Sequence, residues 1–190
     1  MRSYPFTIHN GAGEWLTFER RVQAGGAERV TGGAVVSPGA GPPMHVHFQQ
    51  DESFTVVQGR LGYQRLGEEA AYASAGESVH FKAGEPHRFW NAGDTDLHCT
   101  AYIEPPGNVE YFLAALFESQ RSNGGRRPSL FDAAYLTRRY RSEYEMLAVP
   151  AFVQRFVFPL VVVTGKLLGK YKKYADAPAP IVARASEPSR

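Results

Sequence analysis

Over the first hundred residues, apolar and polar positions alternate in short runs that turn signals cut apart. Phe6–His9, Trp15–Val22, Glu28–Ser37, Ser53–Val57, Arg60–Arg65, Ser78–Phe81 and Leu97–Ile103 are rich in β-branched and aromatic residues and bounded by Gly, Pro, Asn or Asp, which predicts strands. Gly59 and the Ala92-Gly93-Asp94 run mark tight turns. Strands this closely spaced predict an all-β sandwich or barrel. After Pro105-Pro106-Gly107 the period changes. Val109, Phe112, Leu113, Leu116 and Phe117 recur at helical intervals behind Asn108, a predicted N-cap. Ser122–Pro128 reads as a linker, and Ser129 with Asp132 three residues later starts a second helix reaching about Met146. Pro150 opens a third helix that Pro159 should kink or split. The reading is an all-β domain over residues 1–106, a helical extension over 107–174 and a flexible tail over 175–190. No internal repeat argues for a duplicated barrel.

Composition sharpens this picture. The chain has 190 residues, 43% hydrophobic and 21% charged, ordinary for a folded protein and unlike a disordered one. One cysteine, Cys99, excludes a disulfide framework and any Cys-rich metal site. No signal peptide is visible and the most apolar stretch is too short to span a bilayer, so a cytoplasmic location is expected. The net charge of +2 conceals a split: residues 1–110 carry −5 and residues 111–190 carry +7. The basic residues are dispersed and no recognition motif accompanies them, which argues against nucleic acid. They leave two readings, a solvated helical face or a surface for anionic lipid.

The chemistry gathers around four residues. His45 and His47, two apart on a strand, present both imidazoles to one face, and Glu52 can return to it after a turn. His87, further on, adds a third imidazole. Three nitrogens and one oxygen suit iron, manganese, copper, nickel or zinc better than calcium or magnesium. His9, His80 and His98 read as ordinary histidines. Phe54, Val56, Phe81, Phe89 and Tyr102 are candidate lining residues, and Gln49, Gln58, Tyr63 and Arg88 candidate polar contacts.

At this spacing the chain resembles the cupin superfamily, in particular its small single-domain bacterial, quercetinase-like members. Gly39-x5-His45-x-His47-x4-Glu52-x6-Gly59 matches the first cupin motif, and Gly76, Gly84, His87 and Asn91 match the second. Lys82 stands where the family usually has proline, a departure that touches backbone shape and not the ligands. The resemblance covers about Gly32 to Glu104. It implies a double-stranded β-helix (jelly-roll) barrel, a divalent metal on His45, His47, Glu52 and His87, and a homodimer. It also implies a small-molecule substrate and a catalytic role for Glu52, as ligand or as base. Fold alone does not choose among the family's chemistries. A metal-dependent, dioxygenase-like oxidoreductase is the leading expectation; a non-catalytic ligand-sensing cupin and a sugar or keto-acid isomerase are the alternatives.

Overall fold

Two antiparallel sheets build the first part of the molecule in the computed structural model, which describes residues 3–125 and 127–182. The strands are β1 (Phe6–His9), β2 (Glu14–Ala24), β3 (Ala27–Val36), β4 (His45–His47), β5 (Asp51–Gln58), β6 (Arg60–Arg65), β7 (Ala71–Ser74), β8 (Ser78–Phe81), β9 (His87–Asn91), β10 (Leu97–Glu104) and β11 (Tyr144–Met146). One sheet runs β1-β2-β3-β10-β5-β8, the other β11-β4-β9-β6-β7. The seven expected strands are present within a few residues of their predicted ends. The expectation lacked β7, β9 and β11, whose short segments carry too little alternation to stand out. Gly59 turns β5 into β6 at φ 93°, a backbone that β-carbon sterics deny to most residues.

Inward positions of both sheets, among them Val36, Phe54, Val56, Leu61, Phe81 and Leu97, close one apolar core. A second core joins strands to helices: Ile8, Phe18, Val30 and Ile103 pack with Val109, Phe112, Phe117, Leu136 and Tyr140. The extension therefore shares a core with the sheets.

The helices are α1 (Val109–Ser122), α2 (Leu130–Arg139) and α3 (Phe158–Leu167). Asn108 precedes α1 but makes no side-chain cap; its Nδ2 donates to Glu143 Oε1 at 2.8 Å instead. Ser129 does cap α2, its Oγ accepting from the Asp132 N–H at 3.2 Å. The second helix does not reach Met146. It ends at Arg139, and Tyr144–Met146 pair with β4, where their backbone groups complete a ladder. Ahead of α3, Val153–Val157 form a π-helical turn. Pro159 lacks an N–H, and its ring in a regular α-helix would meet the carbonyl four residues back; the wider turn accommodates it.

Residues 175–182 correct a further expectation, that of a flexible tail. Arg139 Nη2 donates to the carbonyls of Ala177 and Pro178 at 2.7 and 2.8 Å. Ile181 donates its N–H to Glu143 Oε1 at 2.9 Å, and its carbonyl accepts from Ser142 Oγ at 2.7 Å. Residues 183–190 of the expected tail lie outside the described residues. Among the described residues, no helix is long and apolar enough to cross a membrane.

Candidate metal centre

The ligand-type side chains come from both sheets. β4 and β9 pair with His45 opposite His87, and β4 places His47 on the same face as His45. Glu52 enters from the other sheet, on β5 opposite Ile103 of β10. Gly41 permits the approach of the loop before β4: at φ 150°, an added β-carbon would lie 2.2 Å from the Phe89 carbonyl oxygen. One donor atom from each of His45, His47, Glu52 and His87 lies within 4.8 Å of the others, and all four residues are buried. The structure thus brings together every candidate ligand that the motifs single out.

Their surroundings fix their roles. His45 Nδ1 donates to the Pro43 carbonyl at 2.9 Å and His87 Nδ1 to the Glu85 carbonyl at 2.8 Å, because a carbonyl can only accept. In the neutral ring this leaves each Nε2 as a bare lone pair. Yet His87 Nε2 stands 2.9 Å from Glu52 Oε2. A lone pair facing a carboxylate at that distance needs a positive charge between them, which either a proton or a metal cation would supply. His47 Nδ1, moreover, is buried with no hydrogen-bond partner among the described residues. The donor set fits a divalent transition-metal ion.

The electrostatics agree. Burial, then the neighbouring His47 and His87, lower His45 to about 3, and burial also lowers His47, so both rings are neutral ligands near pH 7. Burial alone would raise Glu52; the surrounding imidazoles, His47 foremost, outweigh it and hold the carboxyl at about 2. Phe81 stacks on His87 at 3.9 Å between ring centroids, and Tyr144 meets His47 edge-on at 5.3 Å. Tyr144 went unnoticed in the sequence because Glu143-Tyr144-Glu145-Met146 continues a helical-looking segment. The polar run Arg138-Arg139 before Arg141-Ser142 is the signal that could have ended the helix earlier.

His45, His47 and Glu52 line a cavity of about 1150 Å³ with mainly apolar walls. Phe54, Phe89, Tyr102 and Arg88 line it as expected, whereas Val56 and Phe81 lie in the core. Gln49 holds the carbonyls of Ser142 and Ile181, and Gln58 and Tyr63 lie away from the cavity. His80 faces Asp51 at 3.4 Å, and His9 contacts Arg121 at 3.1 Å; with His98 they stay outside the cluster. At Lys82 the backbone N–H donates to Glu85 Oε2 at 2.9 Å, a bond that proline could not make.

In comparison with known proteins, residues 34–103 match the cupin domain model. Residues 34–103 form a cupin domain. The cupin segment is 40% identical over 75 residues to the oxidoreductase iacF of Pestalotiopsis fici, covering 38% of this chain and 37% of that protein. It is 33% identical over 70 residues to the probable oxidoreductase virH of Hypocrea virens, covering 36% and 32%. The match thus spans about a third of each of these curated relatives. Among solved structures, KdgF from Halomonas sp. is 16% identical with a TM-score of 0.48, covering 57% of this chain and 99% of that one. In the present chain the cupin segment belongs to two sheets closed by helices, and its buried His/Glu cluster is a group of side chains that could hold a metal ion.

Proposed function

We propose that this chain is a metal-dependent oxidoreductase of dioxygenase type, acting on a small organic molecule held in the cavity. The observation that carries this reading is the convergence of three imidazoles and one carboxylate where a large, mainly apolar cavity reaches the cupin motifs. A divalent ion held there, whether iron, manganese, nickel, copper or zinc, supplies Lewis acidity and a template for substrate and dioxygen. With dioxygen as oxidant and both its atoms kept in the product, no outside reductant is required.

The chain's own groups divide the work. His45, His47 and His87 contribute neutral lone pairs, and Glu52 the negative charge that offsets part of the ion's own. A carboxyl held at about 2 is a good anionic ligand and a weak base. Glu52 would therefore serve such an ion as an anionic ligand, and would act as a base only if free of it. The apolar walls limit water at the reacting end. The names of the two curated relatives, both oxidoreductases, support redox chemistry over isomerisation or passive binding.

The test is metal analysis of the full chain followed by oxygen uptake on a panel of catechols, enediols and flavonols. We expect about one cation per chain and uptake matched mole for mole by loss of one panel compound. His47→Ala and Glu52→Ala should lose both metal and uptake while keeping the β-type circular dichroism. Full metal occupancy in all four alanine variants would overturn the ligand set. Turnover of a sugar or keto acid without oxygen would replace the oxidoreductase reading with an isomerase.

A further inference from the structure

The metal end occupies only part of the cavity. Its long wall is α1, whose Val109, Phe112, Leu113, Leu116, Phe117 and Gln120 all face in. Phe112 stacks on Tyr144 at 4.6 Å between centroids, and Tyr144 touches His47, so this part of α1 stands beside the ligand cluster. Gln120 lies eight residues on, about 12 Å along the helix axis at 1.5 Å per residue. There α1 meets the turn between β1 and β2: Arg121 Nη1 contacts His9 Nε2 at 3.1 Å, and Gly125 has no room for a side chain against the Gly11 carbonyl.

That turn presents a carboxyl to the cavity. The Asn10 side-chain oxygen accepts from the N–H groups of Ala12 and Glu14 at 2.8 and 3.2 Å, and its Nδ2 donates to Glu14 Oε1 at 2.5 Å. Glu14 lines the cavity and is only 9% exposed, and its Oε1 is held by Asn10. Gln120 Oε1 is buried with no hydrogen-bond partner among the described residues. Neither group serves the metal cluster, and an unpaired buried acceptor such as Gln120 Oε1 is costly unless something supplies a donor.

We propose that Glu14 and Gln120 form a second polar subsite, and that the ligand is a mainly apolar organic molecule at least about 12 Å long with a hydroxyl at this far end. Its near end carries the oxygen that meets the metal, so that end alone rests on the function proposed above. Burial pushes Glu14 up to about 7, so near neutral pH it can give a hydrogen bond as well as take one.

Calorimetry of the zinc-loaded full chain with decanoate and 10-hydroxydecanoate tests this. We expect the hydroxy acid to bind about tenfold tighter, as one hydrogen bond to a carboxyl group allows. Glu14→Leu should erase the preference and leave decanoate affinity unchanged; Gln120→Leu should reduce it without touching the Asn10 turn. Equal affinities in the wild type, a preference that survives both substitutions, or no binding of either acid would overturn the proposal. His47→Ala separates the two readings. If it leaves both affinities intact, the far subsite stands and the metal-end reading fails.

A different surface carries an inference of its own. Along the third helical segment Phe152, Phe156, Leu160, Val163, Leu167 and Leu168 are between 57% and 84% exposed. Only Phe158 and Gly165 of α3 are buried, so the segment is apolar outward as well as inward. Exposed apolar patches beyond a few hundred Å² mark interaction sites. Arg155, Lys166, Lys170 and Lys172 are exposed beside or just after this stripe, and an isologous second copy would bring these like charges together.

We infer that this face lies on an anionic lipid surface, with the apolar stripe at the headgroup boundary and the cations on the lipid charges. Sedimentation with phosphatidylcholine vesicles, with and without phosphatidylserine, reads it out. Binding should require the anionic lipid, fall with salt, drop about fivefold for Lys170→Glu, and vanish in Leu160→Glu/Leu167→Glu with an unchanged melting temperature. No binding to anionic vesicles at low salt would overturn the inference. So would a dimer in sedimentation that the double variant converts to monomer.

Discussion

At one end of the cavity, four ligand-type side chains reach a common point from β4, β5 and β9, all within residues 45–87. At the other end, Asn10, Glu14 and Gln120 come from a turn, a strand and a helix separated by more than a hundred residues. At the first end all three imidazoles are braced: His45 and His87 by backbone carbonyls, His87 also by Phe81, and His47 by Tyr144. The second depends on how the extension docks. Chemistry that a family shares can be written into one barrel, whereas the shape of the ligand is left to whatever closes that barrel.

The largest expected effect breaks the docking itself. Glu143 is fully buried and accepts from the Asn108 N–H at 3.0 Å, Asn108 Nδ2 at 2.8 Å and the Ile181 N–H at 2.9 Å, joining α1, β11 and the C-terminal segment. Glu143→Ala should cost about 4 kcal/mol in chemical denaturation, since it strands three donors. The ligand cluster should still bind metal in whatever fraction stays folded.

Next comes the metal end. His47→Ala should weaken zinc affinity more than about 100-fold in a competition titration, and removing metal from the wild type should lower its melting temperature. A variant that loses metal yet keeps the preference for the hydroxy acid would confirm that the two ends act separately.

A smaller effect follows from Glu14. The unfolded chain releases this proton near 4.5 and the folded chain near 7, because burial disfavours the charged form. Between those values the folded state binds more protons, so stability is fully present below about 4.5 and is lost as pH rises through 7. Glu14→Gln should remove that slope, and the two stability curves should diverge by about 2 kcal/mol between pH 4.5 and 7.5. Parallel curves would mean that the carboxyl is wetter than its burial implies.

The smallest effect concerns Tyr144. Its hydroxyl lies 3.4 Å from both Gln50 Nε2 and Glu143 Oε2 and also meets the Asn108 backbone. Tyr144→Phe keeps the ring against His47 and should cost less than about 1 kcal/mol. Tyr144→Ala, which removes the ring, should loosen metal binding as well.

How much of this was legible depends on the range of each interaction. The pairing of His45 with His47, the return of Glu52 and the hairpin at Gly59 follow from alternation and turn chemistry over a few residues, and His87 from its motif, so the sequence itself determined the β architecture and which four side chains would gather. The apolar stripe from Val109 to Phe117 likewise determined a helix with one buried face. Only the tertiary structure decided what that face covers. Tyr144–Met146 become a strand because β4 offers an open ladder, a partner about a hundred residues away that no local pattern announces. Residues 175–182 are held because Arg139, Ser142, Glu143 and Asn108 offer them hydrogen bonds, although their own composition reads as a tail. Glu14 looks like any strand carboxylate until α1 closes over it, for burial is a property of the assembled neighbours and not of the residue.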